Sequence, residues 1–200
     1  MSVEPLPLYL LAGGQSARFG SDKARAMLTG EPLILHAARP LRAHASEVTA
    51  VADREDKFND LALRTIADLQ PGLGPLGGLQ AALRDREARL GPGWVMLGGC
   101  DLLGLQPGWI ERLIVQARPG GSVVAFRHAR WEPLPALYHT RILTRLDEAA
   151  ATHDLALWRL VERSRAVAVL PPAGWAAVVQ VNTAADLARH AASLPPPREG

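Results

Sequence analysis

Along the 200-residue chain, short runs of apolar residues alternate with longer stretches in which apolar and charged positions recur at helical spacing. The short runs predict strands at Leu6–Leu11, Val48–Ala52, Thr65–Asp68, Trp94–Gly98, Ser122–Phe126, Leu134–Tyr138, Ala166–Leu170 and Ala176–Val181. Helical patterns between them cover residues 33–45, 55–62, 76–89, 108–117, 141–150, 154–163 and 184–192. Pro40 lies inside the first of these and predicts a kink or a split, because proline brings no N–H to the helix and its ring crowds the preceding turn. Thr183 followed three residues on by Asp186 predicts a capping box at the start of the last helix. Pro133 and Pro135 demote Leu134–Tyr138 to an edge or irregular strand, since a central strand needs every ladder donor. Strands alternating with helices, without internal repeats or interior linkers, predict one α/β domain over residues 1–194. Its sheet is mostly parallel and covered on both faces, and a polar, proline-rich tail follows over 195–200.

Composition narrows the function classes. Apolar residues make up 48% and charged residues 21%, as in ordinary globular domains. A net charge of +2 with scattered basic residues argues against nucleic acid as a partner. One cysteine, Cys100, excludes an internal disulfide and fits a reducing compartment. No leader-like N-terminal pattern and no run of 18 apolar residues is present, so no membrane association is expected and a cytoplasmic location is. His36, His44, His128, His139, His153 and His190 lack zinc-ligand spacing, and Ser16 lacks the glycines of a nucleophile elbow.

The densest chemistry lies where the first apolar run gives out. Leu11-Ala12-Gly13-Gly14-Gln15-Ser16-Ala17-Arg18-Phe19-Gly20-Ser21-Asp22-Lys23 combines three glycines with one arginine and one lysine. Such a loop can bring backbone N–H groups against phosphate while cations neutralise its charge. The spacing matches neither the Walker loop nor the dinucleotide fingerprint, leaving a third kind of phosphate loop. Of the 22 basic residues only Lys23 and Lys57 are lysines, so a lysine kept in this loop suggests a need for a compact point charge.

In parallel sheets, ligands bind beyond the carboxyl ends of the strands. Asp53, Asp68 and Asp101 fall at such ends, each readable either as a site carboxylate or as a turn former or helix cap. Asp101 is the strongest of the three. It ends Trp94-Val95-Met96-Leu97-Gly98-Gly99-Cys100, whose small residues allow close approach, and it supplies the single carboxylate that magnesium on a triphosphate needs. Gln70-Pro71-Gly72-Leu73-Gly74-Pro75-Leu76-Gly77-Gly78 is a second glycine-rich loop, suited either to cross the face of a base or to serve as a flexible connection. Glu132–Tyr138 either covers an acceptor or is a plain edge strand. Asn182 either bonds a metal-bound water or shapes the turn before the last helix.

Taken together, Leu11–Ala24 resembles the signature of nucleotidyltransferases that use a nucleoside triphosphate, most closely the molybdenum cofactor guanylyltransferase family. Ile66-Ala67-Asp68, Gly74–Gly78, Cys100-Asp101 and Val181–Leu187 agree in order, so the resemblance spans nearly the whole chain. It implies a Rossmann-like three-layer sandwich of the nucleotide-diphospho-sugar transferase type. It also implies transfer of GMP from GTP to molybdopterin, with GTP contacted by Leu11, Ala12, Gly13, Gly14, Lys23, Asp68, Gly74 and Asp101. Arg18, Lys23 and Asp101 would be catalytic, Asp101 would hold Mg²⁺, and cofactor-delivery and molybdoenzyme-maturation proteins would be partners. The chain departs from the pattern at Leu103 and Ala184, where proline is usual. The polar residue expected near the end of the second strand falls at Val51 or, with a shift, at Asp53. The alternatives are a cytidylyl or sugar-phosphate nucleotidyltransferase and a non-catalytic nucleotide-binding regulator.

Overall fold

A computed structural model describes residues 4–13, 19, 22–70 and 72–194. Its strands are β1 (Leu6–Leu11), β2 (Met27–Leu28), β3 (Glu31–Pro32), β4 (Ala45–Ala52), β5 (Arg64–Ala67), β6 (Trp94–Gly99), β7 (Leu102–Leu103), β8 (Val123–Arg127), β9 (Trp131–His139), β10 (Ala166–Val169) and β11 (Val179–Gln180). The helices are α1 (Leu33–Arg42), α2 (Pro75–Leu90), α3 (Pro107–Ile114), α4 (Leu143–Ala151), α5 (Leu157–Glu162) and α6 (Ala184–Ser193). Seven strands form one sheet in the order β10-β8-β9-β6-β1-β4-β5, and only β9 runs antiparallel to its neighbours. Two small antiparallel pairs, β2 with β3 and β7 with β11, lie outside it.

Alternation along the strands divides the interior into two cores. Leu8 and Leu10 of β1 pack with Ile34 and Leu41 of α1 and Ile110 and Leu113 of α3. Tyr9, between them in sequence, faces the other way with Leu76, Leu79 and Leu83 of α2, Leu146 of α4 and Leu160 of α5. The sheet is therefore the middle of three layers, as expected from the sequence. A smaller cluster joins Leu28, Leu33, Leu103 and Val181, with Leu187 and Ala191 of α6 packed against it. The capping box of α6 is present: Thr183 Oγ1 accepts from the Asp186 N–H, and Asp186 accepts from the Thr183 N–H.

Four expectations need correction. Helix α1 is not split at Pro40, because the proline lies in its last turn and the helix ends two residues on. Residues 55–62 form turns and a 3-10 segment (Asn59–Leu61) instead of a helix, with Asp56 and Ala62 at positive φ on either side. Strand β9 is interior, between β8 and β6, so of the two readings of its prolines the edge falls and the irregular strand holds. Its prolines are tolerated because the β8 register jumps from Ala125↔Ala136 to Phe126↔Glu132, leaving Pro133 and Pro135 in a bulge without ladder pairing. The run Ala176–Val181 begins in a 3-10 turn (Trp175–Ala177), and only Val179–Gln180 of it pairs as a strand.

Candidate active site

Strands β6, β1, β4 and β5 are parallel neighbours, so their carboxyl ends and the segments leaving them share one side of the sheet. Leu11, Ala12 and Gly13 leave β1 there, Asp53 leaves β4, Asp68 leaves β5 and Asp101 leaves β6. The sheet continues one residue into the loop: the Cys100 N–H donates to the Leu11 carbonyl at 3.0 Å and the Ala12 N–H to the Val51 carbonyl at 2.8 Å. The Ala12 amide is thus already engaged, and the Gly13 amide is the first of the three without a backbone partner among the described residues. Gly14 and Arg18 lie outside the described residues.

Lys23 opens a short 3-10 turn (Lys23–Arg25) whose first N–H groups are capped by Asp22, with the Ala24 N–H donating to Asp22 Oδ1 at 3.1 Å. The turn aims the Lys23 ammonium between two acceptors, Asp101 Oδ2 at 3.0 Å and the Val181 carbonyl at 3.1 Å. Both side chains of this pair are largely covered, each 18% exposed. Gln180 Nε2 also donates to Asp101 Oδ2, at 3.3 Å. Asp101 Oδ1 has no hydrogen-bond partner among the described residues. It lies where a side chain at Gly99 would stand, since a Cβ there would come within 2.6 Å of it. The small residues ahead of Asp101 thus have two uses. Gly98 admits Leu41 and Leu10 from the core, and Gly99 makes room for the carboxylate itself.

The other lysine takes part in the same region. Lys57, 13% exposed, lies 2.6 Å from Asp53 Oδ1 and 3.1 Å from Asp22 Oδ2. Burial opposes its charge, but the two carboxylates outweigh burial and raise its pKa. Lys57 therefore ties the β4 end to the turn that presents Lys23.

Geometry sorts the three strand-end aspartates. Asp53 is well exposed, and its hydrogen bond from Lys57 holds its carboxyl below the usual range. Val51 is buried in the ladder and packs near Gly78, so of the two candidates for the second-strand polar contact only Asp53 reaches the surface. Asp68 makes a turn bond, accepting from the Gln70 N–H at 3.0 Å, and burial pushes its carboxyl above the usual range. Asp101 caps no helix: α3 begins six residues later, behind Gln106. Among the described residues no group of three His, Cys, Asp or Glu side chains could hold a metal. Asp101 is thus a lone hard oxygen donor, with one oxygen free.

The second glycine-rich segment is only partly a loop. Gly72 and Gly74 have positive φ, and Gly74 is the N-cap of α2, with Pro75 as its first helical residue. Gly77 and Gly78 lie inside the helix as close-packing positions. A Cβ at Gly77 would meet Asp68 Oδ1 at 2.7 Å, and one at Gly78 would meet Leu11 Cδ2 at 2.6 Å. The first turn of α2 is thereby drawn against the ends of β1 and β5. Asn182 is exposed and its N–H donates to Asp186, as in the turn-shaping reading. Sequence reasoning missed Gln180, the Val181 carbonyl and Lys57. Lysine's scarcity pointed to Lys57; nothing pointed to Gln180, which sits in a two-residue strand.

A glycine-rich segment leaving the first strand and a lysine–aspartate pair at the carboxyl edge of a three-layer sheet define a nucleotidyltransferase fold. Residues 8–192 match the MobA-like NTP transferase domain, and the chain belongs to that family. It is 36% identical to a probable molybdenum cofactor guanylyltransferase of Deinococcus radiodurans over 92% of this chain and 93% of that protein. Identity to a molybdenum cofactor guanylyltransferase of Photobacterium profundum is 28%, covering 96% of this chain and 99% of that one. Among solved structures, molybdopterin-guanine dinucleotide biosynthesis protein A of Archaeoglobus fulgidus superposes with a TM-score of 0.75 at 24% identity, covering 92% of this chain and 96% of that chain. A putative glucose-1-phosphate thymidylyltransferase of Bacillus anthracis gives 0.73 at 14% identity, covering 98% and 97%, a likeness of fold alone. No helix among the described residues is long and apolar enough to cross a membrane.

Proposed function

We propose that the protein transfers GMP from GTP to the terminal phosphate of molybdopterin, yielding the guanine dinucleotide form of the cofactor and pyrophosphate. The observation that carries this reading is the covered Lys23–Asp101 pair at the carboxyl edge of the sheet in a chain of this family. A phosphate oxygen of the acceptor attacks the α-phosphorus of GTP, and the bond to the β,γ-pyrophosphate breaks. The nucleophile is already an anion, so no strong general base is required. The work is to bring two anions together and to stabilise the charge that leaves.

Lys23 offers a compact cation for that charge, and Arg18 a second one. The Gly13 amide and Gly14 would approach the nucleotide from the end of β1, beside Leu11 and Ala12. Asp101 suits Mg²⁺ in its donor chemistry: one free carboxylate oxygen, with phosphate oxygens and water completing the shell, is how this ion is usually held. Bound there, the ion would neutralise charge on the transferring phosphate. Asp68 and Gly74 would line the base pocket. Guanine presents N1–H and N2–H donors that one carboxylate accepts together, and Asp68 Oδ2 has no hydrogen-bond partner among the described residues. The protein would work in the cytoplasm, receiving molybdopterin from delivery proteins and passing the product to molybdoenzyme-maturation proteins.

Asp101→Asn tests the reading. The fold should persist, since Asp101 caps nothing, and GMP transfer should fall about 10²–10³-fold, the ~3–4 kcal/mol typical of a key electrostatic stabiliser. Near-normal turnover in the folded variant would remove Asp101 from the reaction.

A further inference from the structure

The opposite end of the sheet carries a feature that the transfer reaction does not use. Strand β9 pairs antiparallel with β6, with His139 opposite Trp94 and Ala166 of β10 opposite Val123 of β8. The end of β9 and the starts of β8 and β10 therefore lie together, about one six-residue strand, or ~20 Å, from Asp101. Here a cavity of about 270 Å³ is lined by Gly120, Ser122, Arg141, Ile142, Arg145 and Arg165.

Three of those six residues are arginines, and none forms an ion pair among the described residues. Ten other arginines do, among them Arg84 with Asp147, Arg89 with Glu47, and Arg159 and Arg163 with Asp154; Arg42, Arg86, Arg112, Arg118 and Arg130 form none among the described residues, so what sets these three apart is that they line one cavity. None of the residues lining the cavity is an acid, while Arg145 also borders a neighbouring concavity that Glu148 and Asp154 line. Asp147 is taken by Arg84, Asp154 by Arg159 and Arg163, and Glu162 by Arg127. Glu148, three residues after Arg145, makes no ion pair with it.

Two of the guanidinium groups are positioned without acids. Arg145 donates to the Arg163 carbonyl. Arg141 lies against the His139 imidazole, its Nε 3.3 Å from Nδ1. Burial and the charges of Arg141 and Arg86 depress the His139 pKa, so the ring adds no charge of its own near neutrality. The frame is stiff: Ser122 Oγ donates to the Arg165 carbonyl at 3.3 Å, and the His139 N–H donates to the Ser122 carbonyl at 2.9 Å.

We propose that this cavity is a second anion site, distinct from the nucleotide end, that takes a compact multivalent oxyanion of the phosphate or pyrophosphate class. The three arginines are exposed, so a dissolved anion can reach them, and planar guanidinium forks match phosphate oxygens pairwise. The small volume favours a compact anion over a nucleoside triphosphate. The inference stands whether or not the chain transfers GMP.

Equilibrium dialysis with labelled inorganic pyrophosphate, without metal, compares the wild-type protein with the Arg141→Gln/Arg145→Gln double variant and the single variant Arg165→Gln. The wild type should bind at least one equivalent more than the double variant. Arg165→Gln should weaken that extra equivalent at least tenfold. GTP binding should be equal in all three. Thermal melting identifies a variant that fails to fold, in which case the single variant decides. Equal stoichiometry and affinity across folded proteins would overturn the proposal. So would displacement of the extra equivalent by a glutamate decapeptide at concentrations where pyrophosphate itself does not compete.

Discussion

Lys23 owes its position to the adjacent Asp22, which caps its turn, and to two distant partners, Asp101 and the Val181 carbonyl, which receive its ammonium. A planar fork cannot occupy the point between two acceptors near 3 Å, so Lys23→Arg should lower kcat about tenfold or more despite unchanged charge. Kinetics equal to wild type would make Lys23 a mere surface charge. Cys100 is next to Asp101 yet should be inert. Burial, and then the Asp101 charge, push its thiol up to about 12, so thiolate is scarce below pH 9 and appears only as the pH approaches that value. Ellman's reagent at pH 8 should leave the native protein unmodified and react fully after denaturation. At this scale the sequence revealed residue types with unusual company, such as Lys23 in a glycine loop. It could not reveal Gln180 or the Asp22 half of the Lys57 clasp, because those contacts span 79 and 35 residues; only the Lys57–Asp53 half has local, i,i+4 spacing.

Among elements, β6 and the first turn of α2 show how glycine serves the site by absence of volume. Gly99→Ala would place a Cβ 2.6 Å from Asp101 Oδ1 and 3.5 Å from Leu134 Cδ1. The carboxylate must then move, and displacements of this size at a reacting centre cost up to about a hundredfold in rate. We expect GMP transfer to fall at least tenfold while the melting temperature changes little. A large loss of stability with normal specific activity would reverse that assignment. Elements with strong periodicity and clear ends, β1 and α2 above all, were legible because burial alone decides them. The prolines of β9 read as an edge or an irregular strand; the bulge opposite β8 makes it irregular and lets it sit in the interior of the sheet. Residues 55–62 read as helical because their apolar spacing is right. Phe58 is buried, but the left-handed backbone at Asp56 and Ala62 stops propagation.

At the scale of the molecule, the strand order gathers the Leu11–Gly13 exit of β1 and three strand-end aspartates on one edge and leaves the cavity lined by Arg141, Arg145 and Arg165 at the other. The order itself was not legible, since it is fixed by long-range pairing; the location of the site was, because parallel strands place their carboxyl ends together. The central claim is GTP-dependent transfer to molybdopterin, and nucleotide competition tests it directly. With equal GTP, CTP and ATP, Mg²⁺ and molybdopterin, the guanine dinucleotide should dominate the products by about ten- to hundredfold. Adenine N1 is an acceptor that would leave Asp68 unpaired, a mismatch costing about 1–3 kcal/mol. Asp68→Asn, whose amide can donate to adenine N1, should narrow the GTP-over-ATP ratio. It should not destabilise the protein, since burial already disfavours the charged carboxylate. Dominant cytosine dinucleotide would contradict the guanine assignment, and no dinucleotide from any of the three would contradict the account as a whole.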